Sequence, residues 1–253
     1  MKHNDYSKFQ NLTFDKFREL AQNTSLSAYE KIGFPDSYRA GYEEKIFSDI
    51  SNKLHALTMT GKTILDIGPG CSELPYMLIE LCRNQKHSLI LIDSDAMLNQ
   101  LPNEPFITKI NACYPQDCDW LFEKYSSKID AILTYSVFHY IFAEGNIFNF
   151  VDKSLSLLSE QGEILIGDIP NISKRKRFFS STAGIQYHQN FTGTDEIPQI
   201  VFNTLDVNSI DDSVLLSVIM RCRNFGFDAY LLPQANDLPM ANRREDIYIR
   251  RPQ

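Results

Sequence analysis

The sequence predicts an α/β protein: a doubly wound, seven-stranded, mostly parallel sheet with its last strand antiparallel. Three observations carry this. After Gly61, short apolar segments alternate with stretches of helical periodicity. The segments Leu89–Ile92 and Ala131–Leu133 are nearly all apolar, as strands covered on both faces are. The stretch Thr63-Ile64-Leu65-Asp66-Ile67-Gly68-Pro69-Gly70-Cys71-Ser72 takes a β-branched run into a carboxylate, two glycines and a proline. Leu74, Met77, Leu78 and Leu81 then share one face, so this is a strand, a tight turn and a helix, the opening unit of a nucleotide-binding domain.

Taken in order, residues 1–57 read as a helical extension or lid. Phe14, Phe17 and Leu20 stand at helical spacing, and Gly33-Phe34-Pro35-Asp36-Ser37 is a turn with capping residues. Ile46, Ile50, Leu54 and Leu57 form an apolar stripe, too small a core to fold alone, so these helices pack on the main domain. Tyr29, Tyr38 and Tyr42 are either packing aromatics or the lining of a substrate pocket. Residues 58–253 form the main domain, with strands at Thr63–Ile67, Ser88–Asp93, Phe106–Ile110, Ile129–Thr134, Glu163–Ile169, Phe227–Leu232 and Asp246–Arg250. Helices fall at Leu74–Arg83, Ala96–Leu101, Asp117–Tyr125, Ile147–Leu158 and Asp211–Phe225. Residues 170–210 break the alternation, as an insertion with its own helices does, and are expected to form a cap.

The composition excludes several classes. A formal charge of -7 argues against a general nucleic-acid binder, whose affinity rests on excess Lys and Arg. Five scattered cysteines without a C-x-x-C pair, and no clustered histidines, predict no metal site and suit a reducing cytosol. The N-terminal residues lack the apolar core of a signal peptide, and no apolar run is long enough to span a bilayer. The expectation is a cytoplasmic protein with no membrane partner; a homo-oligomer stays open.

Ligands of open α/β sheets bind beyond the carboxyl ends of the strands. The first strand ends in Asp66 and the turn Gly68-Pro69-Gly70, where a carboxylate would repel a pyrophosphate but suits a cationic ligand. The second ends in Asp93-Ser94. Asp93 is placed to accept both ribose hydroxyls of an adenosine, or else caps the next helix, as Asp95 could equally do.

The glycine turn resembles the first motif of the class I S-adenosylmethionine-dependent methyltransferases, acid-x-Gly-x-Gly-x-Gly, with Ser72 where the third glycine would stand. The resemblance runs from about Gly61 to Gly167. It implies that Asn111 and Ala112 lie beside the adenine, and that Tyr135-Ser136-Val137-Phe138-His139-Tyr140 passes beneath the methionine part of the cofactor. Leu157–Ile166 resembles the family's helix, glycine turn and fifth strand, and an antiparallel terminal hairpin is implied as well. An Asn-Pro-Pro-Tyr type of fourth motif is absent, which counts against DNA-adenine or glutamine methylation.

The resemblance thus implies S-adenosylmethionine as cofactor, with Asp66, Gly68, Pro69, Gly70, Asp93, Ser94, Asn111, Ala112, Tyr135 and Ser136 around it. It implies transfer of the methyl to a nucleophilic O, N or C; the two-part cap and the basic run lead to the expectation of O- or N-methylation of a small-molecule acceptor, an anionic metabolite, sugar or sugar nucleotide. His139 is the candidate general base, or a structural histidine. Tyr135 or Tyr140 could present a ring face to the cation. The run Lys174-Arg175-Lys176-Arg177 is either a solvated face or an anion-recognition element, and Lys174, Arg175 and Arg177 join Tyr29, Tyr187 and His188 as candidate acceptor contacts. Three rivals remain: a nicotinamide oxidoreductase, which Asp66 and Ser72 disfavour, a non-catalytic S-adenosylmethionine-binding regulator, and an RNA methyltransferase.

Overall fold

The computed structural model describes residues 12–204 and 206–252; the side chain of Tyr38 lies outside the described residues. Its strands are β1 (Thr63–Ile67), β2 (Ser88–Asp93), β3 (Ile107–Asn111), β4 (Ile129–Tyr135), β5 (Leu158–Pro170), β6 (Asp228–Pro233) and β7 (Arg244–Arg250). They form one sheet in the order β3-β2-β1-β4-β5-β7-β6. The first five are parallel to one another, and β7 runs antiparallel between β5 and β6. The winding therefore reverses between β1 and β4, which leaves a crevice at their carboxyl ends.

Side-chain alternation along the strands builds a core on each face. Leu65, Ile67, Ile132, Ile164 and Ile166 face α7 (Asp119–Tyr125), α9 (Ile147–Leu157) and α12 (Asp212–Asn224). Ile64, Ala131, Leu133 and Leu165 face α4 (Glu43–Lys53) and α5 (Glu73–Gln85). The expected stripe of Ile46, Ile50, Leu54 and Leu57 is buried in that second core. Burying four aliphatic side chains is worth roughly 1.5–3 kcal/mol each, enough to dock α4 on the sheet.

Two differences from the sequence reading have local causes. Strand β5 begins at Leu158, five residues before the expected Glu163, because Leu158 pairs with Ile129 across an irregularity in the register. A short helix, α8 (Phe138–Glu144), follows β4; only Phe138 in it is fully buried, so it carries almost no apolar periodicity.

Before α4 lie α1 (Phe14–Gln22), α2 (Ala28–Lys31) and α3 (Asp36–Arg39). Thr13 caps α1, and Ser27 with Glu30 forms a capping box on α2. A further short helix, α6 (Asp95–Leu98), follows β2. The insertion after β5 is helical, with α10 (Ile172–Phe179) and α11 (Thr182–Thr192). Asn171 caps α10 through the amides of Ser173 and Lys174.

The end of α4 is tied to the sheet by charge. Lys53 Nζ lies 2.7 Å from the fully buried carboxylate of Asp246 on β7 and 2.5 Å from Asp49. Removing one partner of a buried pair strands the other, which costs about 3–5 kcal/mol. Lys53→Met should therefore lower the unfolding free energy by about 3 kcal/mol or more in urea melts. A loss under about 1 kcal/mol would show that apolar packing alone fixes α4.

Candidate functional site

The carboxyl ends of β1, β2 and β4 open into a cavity of about 250 Å³. Its floor is the turn after β1. Gly68 and Gly70 adopt φ of +73° and +66°, where a side chain is strained in any case. A Cβ on Gly68 would meet Val137 at 2.7 Å, and one on Gly70 would meet Ile32 at 2.7 Å, so the glycines also make room. Ser72 replaces the family's third glycine without strain: it stands at φ -79° as the N-cap residue of α5.

Asp93 lines the cavity, with Oδ2 accepting from the Gly70 amide at 3.0 Å and Oδ1 from the Ser94 amide at 2.7 Å. One carboxylate thus fixes the glycine turn and keeps acceptor capacity over. Asp66 also lines the cavity and is buried. Desolvation, with the Asp93 charge second, pushes Asp66 up to about 8, and desolvation raises Asp93 to about 6.

The sequence-predicted cofactor residues Asp66, Gly68, Pro69, Gly70, Asp93, Ala112, Tyr135 and Ser136 all line this cavity. Two do not. Ser94 is buried and caps α6, and Asn111 Oδ1 accepts from the Asp95 amide at 3.1 Å. Cys113 and Tyr114, one and two residues past Ala112, stand in the lining instead, with Ile92 and Met97.

Sequence reasoning expected a lid from the N-terminal segment but looked to its tyrosines for the lining; neither Tyr29 nor Tyr42 lines the cavity. Phe14 and Phe17 of α1, Ile32, Phe34 and Arg39 come from the N-terminal segment and line the cavity, Ile32 lying against Gly70. Arg39 is buried, and its Nη2 donates to Ser136 Oγ and, at 3.0 Å, to Asp168 Oδ2. Asp168 is in turn bound by Arg244 Nη1 at 2.5 Å, by Ser136 Oγ, and by Gln234 Nε2 at 3.3 Å. Although burial alone would raise it, Arg244 first and then Arg39 hold the Asp168 carboxyl below its usual range. Ser136 and Asp168 both sit at left-handed φ, +61° and +59°, at the ends of adjacent strands. Paired strain of this kind persists only where the surroundings fix it.

His139 lies beside this cluster and does not line the cavity; the neighbouring Tyr140 does. The His139 and Tyr140 rings are 3.8 Å apart, and the buried His139 Nδ1 has no hydrogen-bond partner among the described residues. Burial, then Arg244, lowers His139 to about 3, so the ring is neutral.

The other candidate contacts lie apart from the cavity lining. Burial raises the Tyr29 phenol, which is close to Glu43. Lys174 Nζ donates to the Arg244 carbonyl at 2.8 Å and is 3.9 Å from Glu245. Arg177 pairs with Asp212, and Lys176 with Asp206. Arg175 lies 5.1 Å over the Phe179 ring, with Tyr187 and His188 edge-on to the same ring. Among the described residues, no group of three or more His, Cys, Asp or Glu could hold a metal, and no helix is long and apolar enough to cross a membrane.

No protein-family model matches the chain, and no curated protein matches it by sequence. Solved structures do match in three dimensions. One is a SAM-dependent methyltransferase from Aquifex aeolicus, 12% identical, TM-score 0.52, covering 88% of this chain and 96% of that one. Another is the plantazolicin methyltransferase BamL, solved with a triazolic desmethylPZN analog and SAH: 16% identical, TM-score 0.56, covering 95% and 97%. A third is the CurJ carbon methyltransferase, 14% identical, TM-score 0.55, covering 98% of this chain and 66% of that one. The chain has the class I S-adenosylmethionine-dependent methyltransferase fold. The likeness extends over 88–98% of this chain in these three structures.

The two raised carboxyls make a pH signature. Both bind protons more tightly in the folded chain than in the unfolded one, so their contribution favours folding below about pH 4 and is lost as pH rises to about 8. Asp66→Asn removes the larger share. Its urea midpoint should exceed the parent's by the equivalent of a few kcal/mol, about 2–4, at pH 8, and the gain should vanish near pH 4. A gain independent of pH would show that Asp66 is not held protonated by its burial.

Proposed function

We propose that the protein is an S-adenosylmethionine-dependent methyltransferase acting on a small-molecule acceptor. The observation that carries this is Asp93, a carboxylate at the end of β2 that lines the same cavity as the Gly68–Gly70 turn and holds it by a 3.0 Å bond. A ribose needs such a group, because a carboxylate accepts from two vicinal hydroxyls at once. Ile92, Met97 and Ala112 supply an apolar wall for a base. Asp66, beside the turn, would face the cationic amino-acid end of the cofactor, whose charge would offset the cost of ionising the acid.

The bound cofactor supplies an already activated methyl group, and the chain has to orient the acceptor and exclude water. Phe14, Phe17 and Phe34 do the second. The acceptor would enter beside Tyr140 and Ser136, where α1 to α3 roof the cavity. The carboxylate partners of Lys176 and Arg177 support a structural part for the basic run, so the proposal places acceptor recognition at the roof. That roof and a net charge of -7 favour a small acceptor over RNA.

Within this proposal His139, whose ring lies 3.8 Å from that of the cavity-lining Tyr140, turns to bring its buried, unpartnered Nδ1 to the cavity and takes the proton of a hydroxyl acceptor. Burial first, and then the charges of Arg244 and Arg39, disfavour its cation. An anionic acceptor would offset the arginine part of that penalty, and opening of the ring to the cavity the burial part, so that its basicity rises.

Calorimetry with S-adenosylhomocysteine and with NAD tests the cofactor; binding of NAD alone would overturn the proposal. A screen of metabolite pools with labelled cofactor then tests turnover, and binding without transfer to any pool would favour a regulatory protein. Asp93→Ala should weaken S-adenosylhomocysteine by about 3 kcal/mol, more than a hundredfold, with the circular dichroism spectrum retained. Gly68→Val should do the same by driving a side chain into Val137. Parental affinity in either variant would remove that residue from the site. His139→Ala should lower kcat with a hydroxyl acceptor about a hundredfold at unchanged cofactor affinity; a parental kcat would leave His139 a structural residue.

A further inference from the structure

Four charged side chains line the cavity among the described residues: Asp66, Asp93, Glu144 and Arg39. Arg39 is the single cation of the four. Its guanidinium carbon lies 4.4 Å over the Phe34 ring and 5.5 Å from the centroid of Tyr135, so the group is held between two aromatic faces. Phe14, Phe17, Tyr140 and Ile141 continue the apolar lining and keep the dielectric low, where a charge pair is worth most.

The present partner of Arg39 is shared. Asp168 takes both Arg39 and Arg244, so two guanidinium groups face one carboxylate. The opposite imbalance stands next to it, where Lys53 serves both Asp49 and Asp246; none of these three lines the cavity. An anion arriving at Arg39 would not leave Asp168 bare. Arg244, Ser136 and Gln234 would still hold it, which avoids the penalty of an unpaired buried charge. A single guanidinium already shared with Asp168 suits a singly charged ligand group better than a phosphate dianion, and its planar fork matches a carboxylate.

We infer that Arg39 is a carboxylate receptor in the cavity wall, taking the acid group of the acceptor or the amino-acid carboxylate of the cofactor. This rests on the methyltransferase reading and adds to it a ligand chemistry and the residue that selects it. It also gives the N-terminal segment a direct part in binding, since Arg39 is the last residue of α3.

Calorimetry on the full chain tests it with two pairs of probes, using the parent, Arg39→Met and Arg39→Lys. The first pair is S-adenosylhomocysteine and methylthioadenosine, which lacks the amino-acid part. The second is phenylacetate and phenylacetamide, titrated at saturating S-adenosylhomocysteine. In Arg39→Met the acid-bearing probe of one pair should weaken about tenfold or more, while its neutral counterpart changes by less than about twofold. Arg39→Lys should recover part of the loss. Loss confined to the first pair assigns the cofactor carboxylate, and loss confined to the second assigns an acidic acceptor. Equal changes for acid and neutral probes in both pairs, or none, would overturn the inference while leaving the cofactor reading standing. If Arg39→Met does not fold, Arg39→Lys alone decides, since a receptor role requires selective weakening of an acid probe there too. A parent protein that binds no S-adenosylhomocysteine overturns both readings.

Discussion

Asp168 sits at the end of β5 in a backbone conformation that non-glycine residues rarely adopt, and its carboxylate gathers Arg39, Arg244, Ser136 and Gln234. Those partners come from the N-terminal helices, from β7, from the end of β4 and from the loop after β6. A buried carboxylate is costly unless paired and hydrogen-bonded, so each of these segments is constrained to deliver its group to one point. The roof of the cavity, the exit of β4 and the antiparallel strand β7 therefore depend on a single charge. Its amide is also committed, donating to Asp246 Oδ1 at 2.8 Å, which links the cluster to Lys53 and α4.

The other side of the cavity is organised by the reverse arrangement. Asp66 is buried and Asp93 half-buried, neither paired with a cation among the described residues, and desolvation moves both titrations upward. Stability is thus held back at neutral pH on this side, where a ligand with a positive end and a diol would restore it. Opposed charges on the two sides divide the cavity into a part suited to a cation and a part suited to an anion. Zwitterionic ligands, or two ligands of opposite character, fit such a field better than a single neutral one.

The insertion shows how a conspicuous sequence feature can be absorbed by the fold. Four consecutive cations in an acidic chain invite a binding role, and Lys174, Lys176 and Arg177 each meet a carboxylate brought from elsewhere: Glu245, Asp206 and Asp212. Two of these lie in the segment that returns the chain to α12, or at the start of that helix. Of the three only Arg177–Asp212 is exposed, where a pair contributes little; Lys174 ties α10 to β7.

Much of this protein was legible in the sequence because it depends on local constraints. Hydrophobic patterning marked all seven strands to within two residues apart from the early start of β5, most plainly at β2 and β4, where a parallel strand covered on both faces must be apolar. The turn at Gly68 and Gly70 was legible because positive φ selects glycine, and Asp93 because a strand end in an α/β sheet has a known place in space. Tertiary structure alone decided the rest. Arg39 carries no spacing or motif, and it becomes a site residue only when α3 folds over the end of β4, 97 residues away in sequence from Ser136. Asn111 and Ala112 are neighbours in the chain, yet only Ala112 faces the cavity, because the Asn111 side chain is drawn to the amide of Asp95. Long-range charge pairing leaves no periodic trace in a sequence, and it is long-range pairing that built the roof.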